Sequence, residues 1–382
     1  MRKILGALPA LLVLTRCPAQ LQLRGHGGDF PCSIERVDIS GVLVRGLDPA
    51  LPTQTTLVAW DVVRAVPGAP LTGEWQSVAD AAWRARARLE RGDPEGAEPL
   101  LVPLFNRLRG TDGPTASLVA EGLVRCRVAR GALTSVVWPW LEWVRVRRAM
   151  GLESWRGGEL ESDGVPMLDR ELLLCPGLPP MFEPSAAVDA LTVSGEWDLV
   201  AATASNDQVT LSLAALYRHA AQIAAGVAGT GASFPDVTRG ARGVELVRDV
   251  VAAQSGEVEI RRDAMVRLRA RIESGRGEGT PITGWEEAWC RAALGRAMLR
   301  EPDDATRRSG VVQLLHIPVR LSEACPSLAA LALRHSADEV ARQGNSKGAE
   351  LLRAERRERF SAWVGIDEQE SGPTPTGVRG TP

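Results

Sequence analysis

Apolar and polar residues alternate along the first part of the chain. Val42 and Val44, for example, occupy every second position, which is the period of a half-buried strand. Turn-forming residues such as Ser40-Gly41 separate several segments of this kind. The pattern predicts strands over residues 20–24, 33–38, 41–45 and 55–66, and therefore a small β module over residues 20–70.

Near Leu71 the period of the apolar positions changes from two to about 3.6, the helical value. A helix is predicted to begin at Ser77, where Asp80 would complete a capping box, and to end at Gly92-Asp93-Pro94. Helical hairpins are predicted over residues 71–174 and 191–364, joined by a Pro-rich linker at 175–190. The predicted fold class is α+β, with a small N-terminal β-barrel-like module followed by a mostly α-helical, solenoid-like body.

Four helical segments resemble tetratricopeptide repeats, within residues of about 77–148 and 283–360. Two of the four are vaguer copies of the pattern. One surrounds Gly131, and the other follows Thr283, which is predicted to form a capping box with Glu286. Several bulky residues of the motif are missing and the units are unevenly spaced, so the resemblance is to degenerate hairpins. The residues that carry it are Ala85, Gly92, Ala97 and Leu101 in the first unit, and Leu333, Ala337, Val340, Gly344 and Ala349 in the last.

The β module loosely resembles SH3-like or Sm-like barrels, over residues 20–68 only. That resemblance implies that the strands close into a barrel, which leaves a small sheet without free edges.

The two ends of the chain carry signals of their own. Arg2 and Lys3 precede an apolar run that is too short to span a bilayer, and small residues follow up to Ala19. Residues 1–19 are therefore predicted to be a signal peptide, and the protein to be exported to the periplasm or secreted. Lipid anchoring at Cys17 is the alternative, although Arg16 departs from the lipobox pattern. Residues 365–382 are predicted to be a disordered tail.

Composition narrows the possible partners. The chain has 382 residues, 45% of them hydrophobic and 24% charged, as in a soluble globular protein. Loss of Arg2, Lys3 and Arg16 with the signal peptide would leave 42 basic residues against 47 acidic ones, a net charge of −5. We therefore expect no nucleic-acid partner and, after signal removal, no transmembrane span.

The inventory of catalytic groups is small, and no catalytic, cofactor-binding or metal-binding residue is predicted. The four histidines are scattered, and the Gly-rich stretch at 226–231 lacks the Gly-Lys-Ser/Thr of a phosphate loop. Five unevenly spaced cysteines beyond Cys17 favour buried thiols, although one long-range disulfide stays possible. The carboxylate groups Glu159/Glu161/Asp163 and Asp303/Asp304 leave one alternative open, an envelope polymer hydrolase or lyase.

The leading hypothesis is an exported non-enzymatic scaffold that binds a protein, a peptide or cell-envelope material. In tetratricopeptide proteins the first helix of each hairpin lines a peptide-binding groove. By that resemblance, the implied partner-binding residues are Arg86, Glu90, Arg334, Asp338 and Arg342. An exposed helix face with weak intrahelical ion pairs is the alternative interpretation of the last three. The tryptophan-rich segment 138–143 is expected to pack in a core, or else to meet a partner.

Overall fold

The computed structural model describes residues 18–24, 29–48, 50–51, 53–65, 73–150, 155–158, 160, 167–227, 234–238, 240–275 and 282–363. An N-terminal, mainly antiparallel sheet precedes thirteen α-helices in this part of the chain, so the α+β class is confirmed. The contacts divide the chain into two compact units. Unit 1 comprises Met1–Cys126 and Trp138–Glu161, and unit 2 comprises Arg127–Val137 and Ser162–Pro382. The predicted disordered tail and residues 1–17 of the predicted signal peptide lie outside the described residues.

Unit 1 contains a six-stranded sheet in the order β5-β1-β2-β3-β4-β6. Neighbouring strands are antiparallel, except that β6 runs parallel to β4. Asp38 pairs with Gly41 at the tight turn between β2 and β3. A Cβ atom on Gly41 would lie 2.3 Å from the carbonyl oxygen of Val58, so only glycine fits there. The strands are β1 Pro18–Leu23, β2 Asp29–Asp38, β3 Gly41–Arg45, β4 Thr55–Val58, β5 Val63–Ala65 and β6 Trp155–Arg156.

Within the described residues no backbone pairing joins the two edge strands of this small sheet, so its closure into a barrel stays a prediction. β1 pairs with both β2 and β5, which leaves β5 at one edge. β6 comes from residues beyond the predicted module and covers the other edge, at β4. The predicted strand over residues 55–66 is in fact two strands, because Trp60 and the fully buried Asp61 lie in a turn between them.

Four helices lie between β5 and β6 in the chain, and the first hairpin has the turn that the sequence predicts. Asp93 caps α2, since its Oδ1 accepts a hydrogen bond from the Gly96 amide at 2.9 Å. The predicted start at Ser77 is wrong, because α1 begins at Gly73 and Asp80 instead accepts hydrogen bonds from Arg24 and Gln76. The four helices are α1 Gly73–Leu89, α2 Pro94–Leu108, α3 Pro114–Ala129 and α4 Leu133–Met150.

The apolar faces of these helices form much of the core of unit 1. Ala85 and Ala97 are fully buried on the packed pair α1 and α2. Trp140 and Trp143 of α4 are also buried, while Trp138 is half-buried. Core packing is therefore the role of Trp140 and Trp143 in the tryptophan-rich segment.

Unit 2 contains nine further α-helices in its described part. Thr283 caps α10 with the predicted capping box, in which its amide donates to Glu286 Oε2 at 3.0 Å. α10 and α11 cross closely, because a Cβ atom on Gly295 would lie 3.0 Å from the Gly310 carbonyl oxygen. The helices are α5 Ala186–Val193, α6 Glu196–Thr203, α7 Gln208–Ala224, α8 Arg242–Ala252, α9 Val258–Ser274, α10 Gly284–Met298, α11 Asp304–Arg320, α12 Pro326–Arg342 and α13 Ser346–Arg359, followed by a 3₁₀ turn at Ser361–Trp363.

The Pro-rich segment (residues 175–185) precedes α5 and packs into unit 2, whereas the sequence predicted a linker at 175–190. Its residues from Cys175 to Phe182 are buried except Gly177. Three side chains from helices donate hydrogen bonds to its backbone carbonyls, which satisfies polar groups that have no sheet partner. These bonds run from Trp289 Nε1 to Pro176 at 3.0 Å, from Tyr217 Oη to Leu178 at 2.6 Å and from Gln254 Nε2 to Pro180 at 2.7 Å.

Candidate binding site

A cavity of about 370 Å³ lies within unit 2, and we call it the unit 2 cavity. Its wall comes from the turn between α3 and α4 with the start of α4, the Pro-rich segment with Val188 of α5, the first turns of α12, and α13 with the 3₁₀ turn. Most of its wall is apolar. The large apolar side chains that contribute are Leu133, Met181, Phe182, Leu328, Leu331 and Trp363.

Residues at the start of α12 and at the end of α13 position two walls of the cavity. Pro326 occupies the first turn of α12, where the missing amide hydrogen costs nothing. At the other wall, α13 ends at Phe360, and the Trp363 amide donates to the Phe360 carbonyl oxygen at 2.9 Å. That turn brings the Trp363 indole to the cavity.

Glu183 is the acidic residue in the wall of the cavity, and it is the centre of a cluster of charges. Its carboxylate lies 2.5 Å from Arg334 Nη2 and 3.3 Å from Arg296 Nη2. His335 Nε2 lies 3.1 Å from the same group. Burial raises the pKa of Glu183, but the hydrogen bond with His335 and the neighbouring guanidiniums outweigh it and hold the pKa at about 2. Glu183 is therefore ionised at neutral pH.

His335 itself is held in its neutral form. Burial lowers the pKa of its imidazole, and the charges of Arg296 and Arg334 act in the same direction. The bond to Glu183 opposes this shift without reversing it. Nε2 therefore carries the hydrogen and donates it to the Glu183 carboxylate.

Arg356 of α13 brings a positive charge to the cavity wall. Its side chain lines the cavity, and the residue is only 9% exposed. Arginine is seldom so deeply buried, because its guanidinium must leave water.

The three predicted partner-binding residues on α12 have different ion-pair partners. Arg334 contacts Glu183 of the Pro-rich segment, whereas Asp338 lies 3.4 Å from Arg353 of α13. Arg342 donates from Nε to Glu339 Oε2 on its own helix at 2.7 Å. Arg334 therefore adjoins the cavity through Glu183. Asp338 takes part in an exposed pair, whereas Arg342 is paired with the buried Glu339.

Arg86 and Glu90 lie in unit 1 and form part of a separate ionic group. Arg86 donates from Nη1 to Asp61 Oδ2 at 2.7 Å and from Nε to Glu90 Oε1 at 2.6 Å. Asp61 is fully buried and also accepts a hydrogen bond from the Gly158 amide at 3.2 Å. Burial raises the pKa of Asp61, and Arg86 opposes that shift. Arg86 thus ties α1 to the turn between β4 and β5.

Of the carboxylates behind the enzyme alternative, Asp303 and Asp304 lie in the described part of the chain, and both have structural partners there. Asp303 caps α11, and the Thr306 amide lowers its pKa. With Glu301 it lines a second, polar cavity of about 540 Å³, where Arg262 and Arg261 lower the pKa of Glu301. Asp304 is paired with Arg307, and residues 159, 161 and 163 lie outside the described part of the chain.

Other candidate groups are structural where the structure describes them. The five cysteines beyond Cys17 are buried free thiols: Cys32, Cys126, Cys175, Cys290 and Cys325. His219 packs edge-on against Phe234, with ring centroids 5.3 Å apart. In the described part of the chain, no group of three His, Cys, Asp or Glu side chains is arranged to hold a metal ion.

The sequence interpretation missed Glu183, Arg296 and Arg356. All three depend on contacts between segments far apart in the chain. One local signal was present, because Met181 and Phe182 are large apolar residues inside a stretch rich in proline. Such a pair is unusual in an exposed linker and indicates burial.

Comparison with models of known protein families, with curated proteins and with solved structures found no match to this chain. Within the described ranges, no helix combines the length and the apolar character needed to cross a membrane.

Proposed function

We propose that the protein is an exported, non-catalytic binding protein, and that its helical body holds an apolar group of a partner in the unit 2 cavity. One observation carries this proposal: a cavity of about 370 Å³ with a mostly apolar wall. Ligand sites typically measure about 300–1,000 Å³ and combine apolar walls with a few polar groups. The degenerate tetratricopeptide-like hairpins support the same class of function, because such hairpins usually serve as binding scaffolds.

The energetics favour an apolar ligand. Leu331, Met181 and Phe182 present apolar surface that a ligand would remove from water. Complete burial of one leucine- or phenylalanine-sized group contributes about 1.5–3 kcal/mol. A partner with one such group would therefore gain measurable affinity from the cavity alone.

Export rests on the sequence of residues 1–19. Ala19 and Gln20 both belong to β1, where their backbones pair with Cys32 and Pro31. Cleavage after Ala19 would leave residues 20–23 of this strand in the mature protein. Intact-mass analysis of the exported protein tests this, and a start at Cys17 with an added lipid mass would contradict soluble export.

The cavity itself is tested with a neutral apolar dye, N-phenylnaphthylamine, whose fluorescence rises when it leaves water. Leu331→Trp places a larger side chain in the cavity wall, and Leu351→Trp is the matched control because Leu351 is 64% exposed on α13. We expect saturable dye binding to the wild type and to Leu351→Trp, and its loss in Leu331→Trp with the unfolding midpoint retained. Equal dye binding by all three proteins, or by none, would contradict the proposal.

A further inference from the structure

We infer that unit 2 has a second binding site, which takes an oxyanion such as a carboxylate or a phosphate. The site is the polar cavity of about 540 Å³ that α9, α11 and the end of α10 form. Arg269 and Gln313 are the residues that bind the oxyanion. This polar cavity shares no lining residue with the unit 2 cavity, so the inference does not rest on the proposed function.

The packing of three helices creates the polar cavity. α10 packs against both α9 and α11. The start of α9 lies beside the end of α10, where Arg262 pairs with Glu301. The end of α11 lies beside the start of α10, where a Cβ atom on Gly284 would lie 4.0 Å from Leu321. α9 and α11 are therefore both antiparallel to α10, and they run in the same direction.

One end of the polar cavity contains carboxylates that are already bound. Glu301 accepts hydrogen bonds from Arg261 Nη2 at 3.2 Å and from Arg262 Nη2 at 2.8 Å. Asp303 accepts a hydrogen bond from the Thr306 amide at 2.7 Å. Donors of the protein therefore offset both negative charges at this acidic end.

Arg269 and Gln313 lie away from the acidic end. Arg269 follows Arg262 by seven residues on α9, and Gln313 follows Thr306 by seven residues on α11. Seven residues are two helical turns, or about 10 Å along the axis. Because the two helices run in the same direction, both side chains line the opposite end of the polar cavity.

The Gln313 amide is oriented by a buried arginine. Arg291 donates from Nε to Glu287 at 2.7 Å, and from Nη1 to Gln313 Oε1 at 2.5 Å. A guanidinium has donors and no acceptor, so the amide must turn its oxygen towards Arg291. Within the described part of the chain, the Gln313 Nε2 group forms no hydrogen bond. It is therefore a donor that a ligand can use.

Arg269 supplies a positive charge at the same end. The residue is exposed, and among the described residues its guanidinium has no hydrogen-bond or ion-pair partner. A guanidinium can donate two parallel N–H groups to the two oxygens of a carboxylate or a phosphate. Gln313 Nε2 adds a further donor. The complementary ligand for several donors and one positive charge is an oxyanion.

Two methionines indicate the rest of the ligand. Met265 and Met298 line the polar cavity together with these polar groups. Methionine side chains are apolar and adapt to the shape of what they contact. They favour an oxyanion that is attached to a short apolar stem. Alkyl phosphates and short carboxylic acids both have this chemistry, and the experiment separates the two sources.

The test observes methionine methyl groups by NMR in the full chain, labelled with ¹³C-methyl methionine. Met265 and Met298 report on the polar cavity, whereas Met181 reports on the unit 2 cavity. Butyl phosphate, pentanoate and the neutral pentanol are titrated at constant ionic strength, because salt screens exposed charges. We expect saturable shifts of Met265 and Met298 with at least one oxyanion, which should bind about tenfold or more tightly than pentanol. The oxyanion with the higher affinity identifies the source.

Variants then assign the binding to the two donors. Arg269→Gln should weaken oxyanion binding about tenfold or more and leave the unfolding midpoint unchanged, since Arg269 is exposed. Arg308→Gln is the matched control, because Arg308 is exposed on α11 and does not line the polar cavity. Gln313→Glu keeps an oxygen for Arg291 but replaces the donor with a negative charge, so it should abolish oxyanion binding.

Three outcomes would overturn the inference. The first is a lack of saturable shifts at Met265 and Met298 with either oxyanion in the wild type. The second is equal oxyanion affinity of the wild type and Arg269→Gln. The third is a saturable shift at Met181 alone, which would leave the proposed function intact. Conversely, failure of N-phenylnaphthylamine to bind would contradict the proposed function and not this site.

Discussion

Arg334 of α12 and Glu183 of the Pro-rich segment form an ion pair, with 2.5 Å between Arg334 Nη2 and Glu183 Oε2. The two residues are 151 positions apart in the chain, and both side chains are about three-quarters buried, with exposures of 24% and 25%. The pair joins a segment without regular secondary structure to a helix beside the unit 2 cavity. Its strength therefore bears on how firmly one cavity wall is held.

Removal of this ion pair should destabilise the protein. Arg334→Gln leaves Glu183 with Arg296 and His335 as its partners, so its carboxylate does not become an unpaired buried charge. We therefore expect the free energy of unfolding to fall by only about 1–2 kcal/mol. Denaturant titration measures the loss. Asp338→Asn is the control, because Asp338 lies on the same helix and both partners of its ion pair with Arg353 are exposed. A control variant that is as unstable as Arg334→Gln would show that the Glu183 contact has no special role.

Stability should also depend on pH through Glu183. The pKa of Glu183 in the folded protein is about 2, below the usual value of 4.5. Its ionised carboxylate therefore stabilises the fold fully at pH values above 4.5, and this stabilisation is lost as the pH falls towards 2. At neutral pH the free energy of unfolding of the wild type should exceed that of Glu183→Gln by about 1–3 kcal/mol, and the difference should shrink on acidification. Denaturant titrations of both proteins at several pH values measure it. A difference that does not change with pH would contradict the assignment.

The buried alanines of the hairpins should not tolerate a large side chain. Ala85 and Ala337 are fully buried on α1 and α12, so Ala85→Trp and Ala337→Trp should each destabilise by about 1–3 kcal/mol or more. Ala354→Trp is the control, since Ala354 is exposed on α13. Unchanged denaturation midpoints for the two buried variants would mean that these positions are not tightly packed.

Thiol reactivity should be very low in the folded protein. Burial raises the pKa of Cys175, Cys290 and Cys325 to about 12, so almost no thiolate is present at about pH 8. A chromogenic disulfide reagent should therefore react with these thiols only after unfolding in guanidinium. Rapid reaction of the native protein at any of the three would contradict their burial.

Local sequence signals predicted those features of the fold that local chemistry determines. The alternation of Val42 and Val44 gave the bounds of β3, and Asp93 and Thr283 each cap the helix that was expected after them. The start of α1 was missed because Ser77 and Asp80 have the residue types of a capping box in the middle of a helix. Residue types alone do not distinguish these two positions.

The candidate site could not be predicted, because it depends on contacts that are distant in sequence. Proline residues near Glu183 suggested a linker, but Trp289, Tyr217 and Gln254 supply the hydrogen bonds that let this segment be buried. The pairing of β6 with β4 is of the same kind, since Trp155 pairs with Leu57 across almost a hundred residues. Periodicity carries no information about such partners.

The most direct test of the central claim uses Trp363, whose indole lines the unit 2 cavity. Bromine quenches indole fluorescence at short range, so an ω-brominated decanol serves as a neutral ligand that reports its own position. The account predicts saturable quenching of the wild type and loss of most of that quenching in Trp363→Phe, with the affinity measured by calorimetry retained. Equal saturable quenching of both proteins would place the ligand at another tryptophan, and quenching that does not saturate would show that the cavity holds no ligand.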